Sequence, residues 1–453
     1  MATSPSSIDV AIVGAGLAGL TAAWTLHKKG ISSLAVFEAM NRVGGRTLIQ
    51  PVHSDSYVEQ GGTWAGPSQT AILALAVELG VGIKNGKPEG STFYGYQGRW
   101  TQVDGEVGSS EVQDDFASAL ERFEALSKTV VTTAPWTTPN AVALDALSIG
   151  QWIRANTQTE GGRFLFEGCV RKMQGGDPDE VSLLWLLHFV ASATFEDLLH
   201  TAENYRFAGG SQAISFSIAE RLGNRVHTAT PVSRISVMSD STVRIEGDGF
   251  PPVTARRAIV TAMPTALKAI TFDPPLSSLQ QDMIESWTPM SWIKFNAIYE
   301  TPFWRGKISG SQFLCLDRRV EAFDISPEDE SLGEIVGFLL PDCPNRHGAT
   351  ASHFAKQFLR QVYGAGADEP RYFAIKDWSA ETRIGGCVSS LKPCILTRIG
   401  SALTAPAGPV HFAGTERSPY WLNYMEGAVR SGQRTAERVA GELALTASEE
   451  ASV

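Results

Sequence analysis

The feature that most constrains this chain lies at its start. Asp9–Val13 (DVAIV) reads as a short buried strand, and Gly14-Ala15-Gly16-Leu17-Ala18-Gly19 follows at once. Leu17–Lys29 then reads as a helix that Gly30 ends, and Leu34–Glu38 (LAVFE) is the next strand. A strand, a glycine turn, a helix and a second strand make a βαβ unit, which commits the chain to an α/β sheet. In the GxGxxG turn, Gly14 allows the tight bend, Gly16 lets backbone approach a pyrophosphate, and Gly19 lets helix and sheet pack closely. The helix N-terminus offers free N–H groups and a positive dipole end to phosphates. Glu38 ends the second strand, where a carboxylate takes ribose hydroxyls. The unit alone fits NAD or FAD.

Composition narrows the surroundings. At 453 residues the chain is too long for one compact core and predicts two or three domains. Hydrophobic residues at 43% and charged residues at 19% are ordinary globular values, which excludes disorder over most of the length. Lys+Arg 38 against Asp+Glu 48 gives a net charge of −10, with no basic stripe to serve a nucleic acid. The 5 cysteines are scattered and form neither a disulfide framework nor a CxxC metal spacing. No metal is expected. The first seven residues have neither a basic nor an apolar region, so they do not read as a signal peptide. Val181–Ala193 is the longest apolar stretch and is shorter than the ~18–20 residues of a membrane span, so it reads as a buried helix. No transmembrane anchor is expected. An intracellular, cytoplasmic protein is expected, with a peroxisomal location left open although the last three residues, Ala-Ser-Val, are not a standard address.

The residues after Glu38 separate the two cofactors. Arg42, Gly44, Gly45 and Arg46 complete ExxxRxGGR, in which two arginines frame two glycines and supply charge and backbone donors to a pyrophosphate from its second side. Here the chain resembles the FAD-binding amine oxidase family, in which this segment contacts the FAD diphosphate. Glu59-Gln60-Gly61-Gly62-Thr63-Trp64 continues the resemblance with a segment that lies beside the flavin in that family. Near the end, Asp377-Trp378 through Gly385-Gly386-Cys387, then His411-Phe412-Ala413-Gly414-Thr415-Glu416, then Tyr424-Met425-Glu426-Gly427 follow in the order and spacing of monoamine oxidase. The resemblance runs from about Val10 to Leu443.

The resemblance implies a Rossmann-type FAD-binding domain interleaved with a mixed-sheet-plus-helices substrate domain, α/β locally and α+β overall. The expected division is 8–83, 208–283 and 381–445 for FAD, 84–207 and 284–380 for substrate, with flexible ends at 1–7 and 446–453. Helical periodicity dominates 84–207, where Phe116, Leu120, Phe123 and Leu126 share one face. Arg206–Ser211 is expected to open a second FAD-type stretch, and Val232 to contact the adenine side.

Several side chains carry expected roles. Lys294 lies in a strand among Ile293, Phe295 and Ala297, where a lysine is costly unless paired or watered. In the family it holds a water against flavin N5 and assists O2 reduction. The bland alternative is an edge lysine facing solvent. Cys387 stands where monoamine oxidases carry the cysteine thioether-linked to the flavin, so covalent FAD is expected. The alternative is a free buried thiol. Tyr424 matches one wall of the family's aromatic cage, while the other wall is replaced by Val388. Half the cage is lost, which predicts a wider approach and a bulky or long-chain amine. Trp64, Phe338, Phe323 and Glu203 align with substrate-lining positions, or are plain packing. The helix beginning at Met425 is expected to aim its positive end at the flavin.

The implied activity is oxidative deamination of a primary amine to an aldehyde or ketone plus NH3, with O2 reduced to H2O2. Polyamine oxidase and L-amino-acid oxidase are alternatives on the same scaffold. A non-catalytic escort-type binding protein is the alternative from another class. A small amine and O2 are the expected partners, and a homodimer is compatible.

Overall fold

The computed structural model describes residues 7–450, apart from 54–55, 87–89, 97–98, 104–108, 309, 316, 345 and 347. Strand Ser7–Val13 pairs in parallel with Leu34–Phe37 on one side and Val253–Val260 on the other. Val10, Ala11, Ile12 and Val36 are wholly buried, as expected of apolar runs in a sheet covered on both faces. The sheet has eight strands. Beyond these three it takes Val226–His227, Val243–Gly247, Val232–Val237, Thr271–Asp273 and Val410–Phe412, so widely separated segments build one layer. Helix Leu17–Lys28 packs between this sheet and the terminal helix Met425–Glu450.

A second sheet runs in the order Tyr372–Asp377, Ile293–Tyr299, Gly333–Leu339, Val320–Asp324, Gly310–Cys315, Ser91–Tyr96, Arg99–Val103. Ile293–Tyr299 is an inner strand with every position buried, so the edge reading of Lys294 is excluded. Its two faces do different work. Ile293, Phe295 and Ala297 enter an apolar core, while Lys294 and Asn296 turn to backbone at Gly61 and Glu59. The two strands within residues 91–103 differ from the helical pattern expected from 84 onward. Ser91–Tyr96 pairs in parallel with Gly310–Cys315, a partner far along the chain, and Arg99–Val103 pairs with Ser91–Tyr96 at the sheet edge.

Helices Ser110–Ser127, Ile149–Asn156, Glu160–Gln174 and Leu183–Ala191 pack around an aromatic cluster in which Phe123 meets Phe166 at 5.6 Å and Phe195 at 5.5 Å, edge to face. Leu183–Ala191 is buried nearly all round, which is why its sequence is apolar on every side. Among the described residues no helix is long and apolar enough to cross a membrane. Ser7 and residues 446–450 differ from the flexible ends expected of them. Ser7 opens the first strand, and Thr446 lies in the terminal helix, its hydroxyl accepting from Arg256 at 2.7 Å. The rest of those ends, 1–6 and 451–453, lies outside the described residues.

Candidate active site

The parallel strands end at Val13 and Phe37, and a cavity of ≈ 420 Å³ opens there. That is where open α/β sheets bind ligands. Gly14, Gly16, Glu38, Gly45, Arg46, Val232, Gly414, Thr415 and Met425 line one part of it. Gly16 and Gly44 form a parallel bridge, and Ala15 accepts from the Gly44 N–H at 2.8 Å, so the two glycine loops face each other. A Cβ on Gly19 would fall 1.9 Å from the Gly14 carbonyl oxygen, so helix and turn pack together only because residue 19 is glycine. Helix Leu17–Lys28 starts without a side-chain cap and without an acid in its first turn, which leaves its N–H groups to a ligand.

Glu38 is fixed before any ligand arrives. Its carboxylate accepts from Ala15 N at 2.7 Å and from Met40 N at 2.8 Å, and burial raises its pKa. Arg46 donates to the Cys387 carbonyl at 2.8 Å and pairs with buried Glu416 at 2.7 Å. Two expected contacts differ here. Arg42 is not among the lining residues; its guanidinium donates to the Gly45 and Thr47 carbonyls at 3.0 and 3.3 Å and braces the loop. Glu416 also stands behind the surface and acts on Arg46. Gly209 and Gly210 do not line the cavity either. A Cβ on Gly210 would meet Ile49 at 2.5 Å, so its place is set by packing.

These groups fit FAD. The structure supplies a carboxylate at the end of the second strand, an uncapped helix N-terminus, two facing glycine loops, and the Arg46 guanidinium on the lining surface.

The other part of the cavity is lined by Gly61, Gly62, Trp64, Lys294, Phe338, Trp378, Cys387, Val388 and Tyr424. Lys294 donates to the Gly61 carbonyl at 2.8 Å and to the Thr63 hydroxyl, and its ammonium lies 5.3 Å from the Trp64 ring and 5.5 Å from Phe338. Burial lowers its pKa to about 8, with Glu59 pulling it up and Arg206 pushing it down. Those two are themselves a buried pair at 3.2 Å, and Glu334 lies 3.7 Å from Arg206. Trp378 donates from its indole to the Gln60 carbonyl at 2.9 Å, which fixes the segment that carries Gly61.

Cys387 is held by its backbone N–H on Met290 at 2.8 Å, and its sulfur lies 3.8 Å from the Ser291 hydroxyl. Burial raises its pKa to about 11, so at neutral pH it is a thiol. Tyr424 stacks on Phe189 at 6.1 Å and meets Trp421 edge-on at 4.9 Å. Val388 lines the same cavity from a short ladder with Met290. Phe323 differs from its expected place. It stands behind Trp64, 5.4 Å away, and does not line the cavity.

Glu203 does line the cavity, together with two residues that sequence reasoning missed, Lys172 and Glu321. No motif marks either. Strand alternation held the signal for Glu321, since it shares a sheet face with Phe323 two residues on. Burial disfavours the Lys172 ammonium, but the facing Glu203 and Glu321 carboxylates outweigh it and its pKa is raised.

Comparison with known proteins agrees with this geometry. The family model for flavin containing amine oxidoreductase matches residues 17–440. A flavin-containing amine oxidase of Oncorhynchus mykiss is 30% identical over 458 residues, covering 97% of this chain and 87% of that protein. The structure of cyclohexylamine oxidase from Brevibacterium oxydans IH-35A superposes with a TM-score of 0.90 at 31% identity, covering 96% of this chain and 99% of that one. Putrescine oxidase bound to putrescine gives a TM-score of 0.91 at 30% identity, with the same coverage.

Proposed function

The chain belongs to the flavin containing amine oxidoreductase family, FAD-dependent oxidoreductases acting on amines, and we propose that it oxidatively deaminates a bulky or long-chain primary amine. FAD, when bound, would supply the two-electron redox chemistry that links amine oxidation to O2 reduction. The chain's own residues bind, orient and exclude water. Tyr424, held by Phe189 and Trp421, presents one aromatic wall to the amine. Lys294 is the buried proton-bearing group nearest the Gly61 loop, and it serves the O2 half-reaction. Arg46, Glu38 and the two glycine loops hold the dinucleotide. Cys387, a cavity-facing thiol, is the attachment point for a covalent flavin.

The observation that carries the substrate reading is Val388. It lines the cavity with Tyr424, where a second aromatic wall would otherwise narrow the approach. The relatives, by their names, act on a linear diamine and a cyclic amine, so the preference rests on this chain's own side chains. An amino-acid substrate is disfavoured because Lys172, which could meet its carboxylate, already faces Glu203 and Glu321. A non-catalytic binding protein is disfavoured by the intact dinucleotide cradle beside a buried lysine. A peroxide-release screen over aromatic, long aliphatic, polyamine and amino-acid substrates is the test. Turnover highest with long or bulky primary amines supports the proposal, and turnover restricted to amino acids or compact arylalkylamines overturns it.

A further inference from the structure

Lys172, Glu203 and Glu321 come from three unconnected elements and meet on the wall of the cavity that also holds Tyr424 and Lys294. Glu321 is only 5% exposed, yet its Oε2 has no hydrogen-bond partner. A buried carboxylate oxygen without a donor is destabilising, so an occupant that donates to it is favoured. Burial raises Glu321 to about 7, with Lys172 pulling it back and Glu203 adding to it. Lys172, whose ammonium lies 5.7 Å from the Phe323 ring, can only donate. The phenols of Tyr94 and Tyr424 and the thiol of Cys169 also face it.

The charge pattern sorts occupants. A second ammonium on the substrate would satisfy Glu321 but face the Lys172 ammonium. A distal carboxylate would satisfy Lys172 but face two glutamates. A hydroxyl is neutral, donates to a carboxylate oxygen and accepts from an ammonium, so it matches all three groups without a charge clash. We infer that Lys172, Glu203 and Glu321 form a subsite for a hydroxyl carried by the substrate, and that the preferred amines are aliphatic amino alcohols. This inference rests on the amine-oxidase reading of the cavity for its orientation, with the amine at Tyr424 and the hydroxyl at Glu321.

The test separates binding from turnover. Holoenzyme is titrated with α,α-dimethyl amines, which have no α C–H and cannot be oxidised, and binding is read from the flavin absorption spectrum. Tails of matched length end in methyl, hydroxyl, ammonium or carboxylate, over a range of chain lengths. The expected result is a hydroxyl tail binding about tenfold to a hundredfold more tightly than a methyl tail at the best length. Glu321→Leu and Lys172→Met, each checked for bound flavin, should shrink that advantage to about threefold or less. The wild-type series needs no variant to fold. Equal affinity for hydroxyl and methyl tails overturns the inference, as does tightest binding by the ammonium or the carboxylate tail. If no oxidisable amine yields peroxide while the hydroxyl preference persists, the proposed reaction fails and the subsite stands.

Discussion

Replacing Lys294 by methionine should stabilise the protein at neutral pH while impairing its reaction with O2. Burial lowers the Lys294 pKa from 10.5 to about 8. That difference corresponds to about 3 kcal/mol of disfavour for the buried ammonium at neutral pH. Between pH 8 and pH 10.5 the unfolded chain binds more protons at this site than the folded one, so stability rises with pH across that window. The penalty is therefore full below pH 8 and gone above 10.5. Lys294→Met removes it but leaves the Gly61 carbonyl and the Thr63 hydroxyl without their donor, at about 1 kcal/mol each. The variant should be more stable by about 1 kcal/mol at pH 7 and less stable by about 1 kcal/mol near pH 10, where most of the penalty has gone. Urea unfolding of both flavin-loaded proteins at the two pH values reads the sign change. Stopped-flow reoxidation of the reduced flavin should be slowed at least about tenfold, the loss of one positioned proton-bearing group. A stability difference that is the same at both pH values would refute the assignment of a buried, reluctantly charged lysine. Unchanged reoxidation would refute its role.

Four other perturbations test separate parts of the site. Val388→Tyr should shift kcat/KM by about tenfold toward compact amines over long ones, and indifference to the change would remove the argument from the open wall. Acid precipitation should leave the yellow colour with the protein, and Cys387→Ala should release it to the supernatant; colour in the wild-type supernatant would exclude the thioether. Gly19→Ala would place a methyl 1.9 Å from the Gly14 carbonyl, so about 1–3 kcal/mol of overpacking and a fall in the ratio of flavin to protein absorbance are expected, whereas full flavin occupancy would contradict the cradle. Arg206→Met strands Glu59 and Glu334, whose side chains are almost wholly buried, so a loss of about 3–5 kcal/mol is expected by urea unfolding, and a neutral effect would mean that the network is not closed.

The dinucleotide cradle was legible because backbone constraints write themselves into sequence. Gly14 and Gly19 sit where a Cβ or an L-residue conformation is excluded, Gly16 faces the second glycine loop, and Glu38 follows at the next strand end. The long apolar segment around Leu183–Ala191 was legible because a helix buried all round must be apolar all round. The two strands within 91–103 were not, since the first joins the sheet only through Gly310–Cys315, more than two hundred residues away, and STFYGY carries no strict alternation. Arg42 and Phe323 show a different limit. Spacing marks them as near the ligand, but whether a side chain faces the cavity or supports a neighbour that does depends on rotamer and packing. Lys172 and Glu321 show the same limit from the other direction. They meet only because a helix and a strand from distant parts of the chain wall the same cavity, and pairing across distant elements leaves no local pattern.

The central claim is that amines reduce a flavin bound in this cavity. It is tested most directly by adding a long-chain primary amine to the purified protein without oxygen and recording the visible spectrum. The flavin band should bleach, then return on admitting air, with one peroxide released per amine consumed. A flavin that stays oxidised with every amine offered, or a protein purified without flavin that cannot be loaded with FAD, would contradict it.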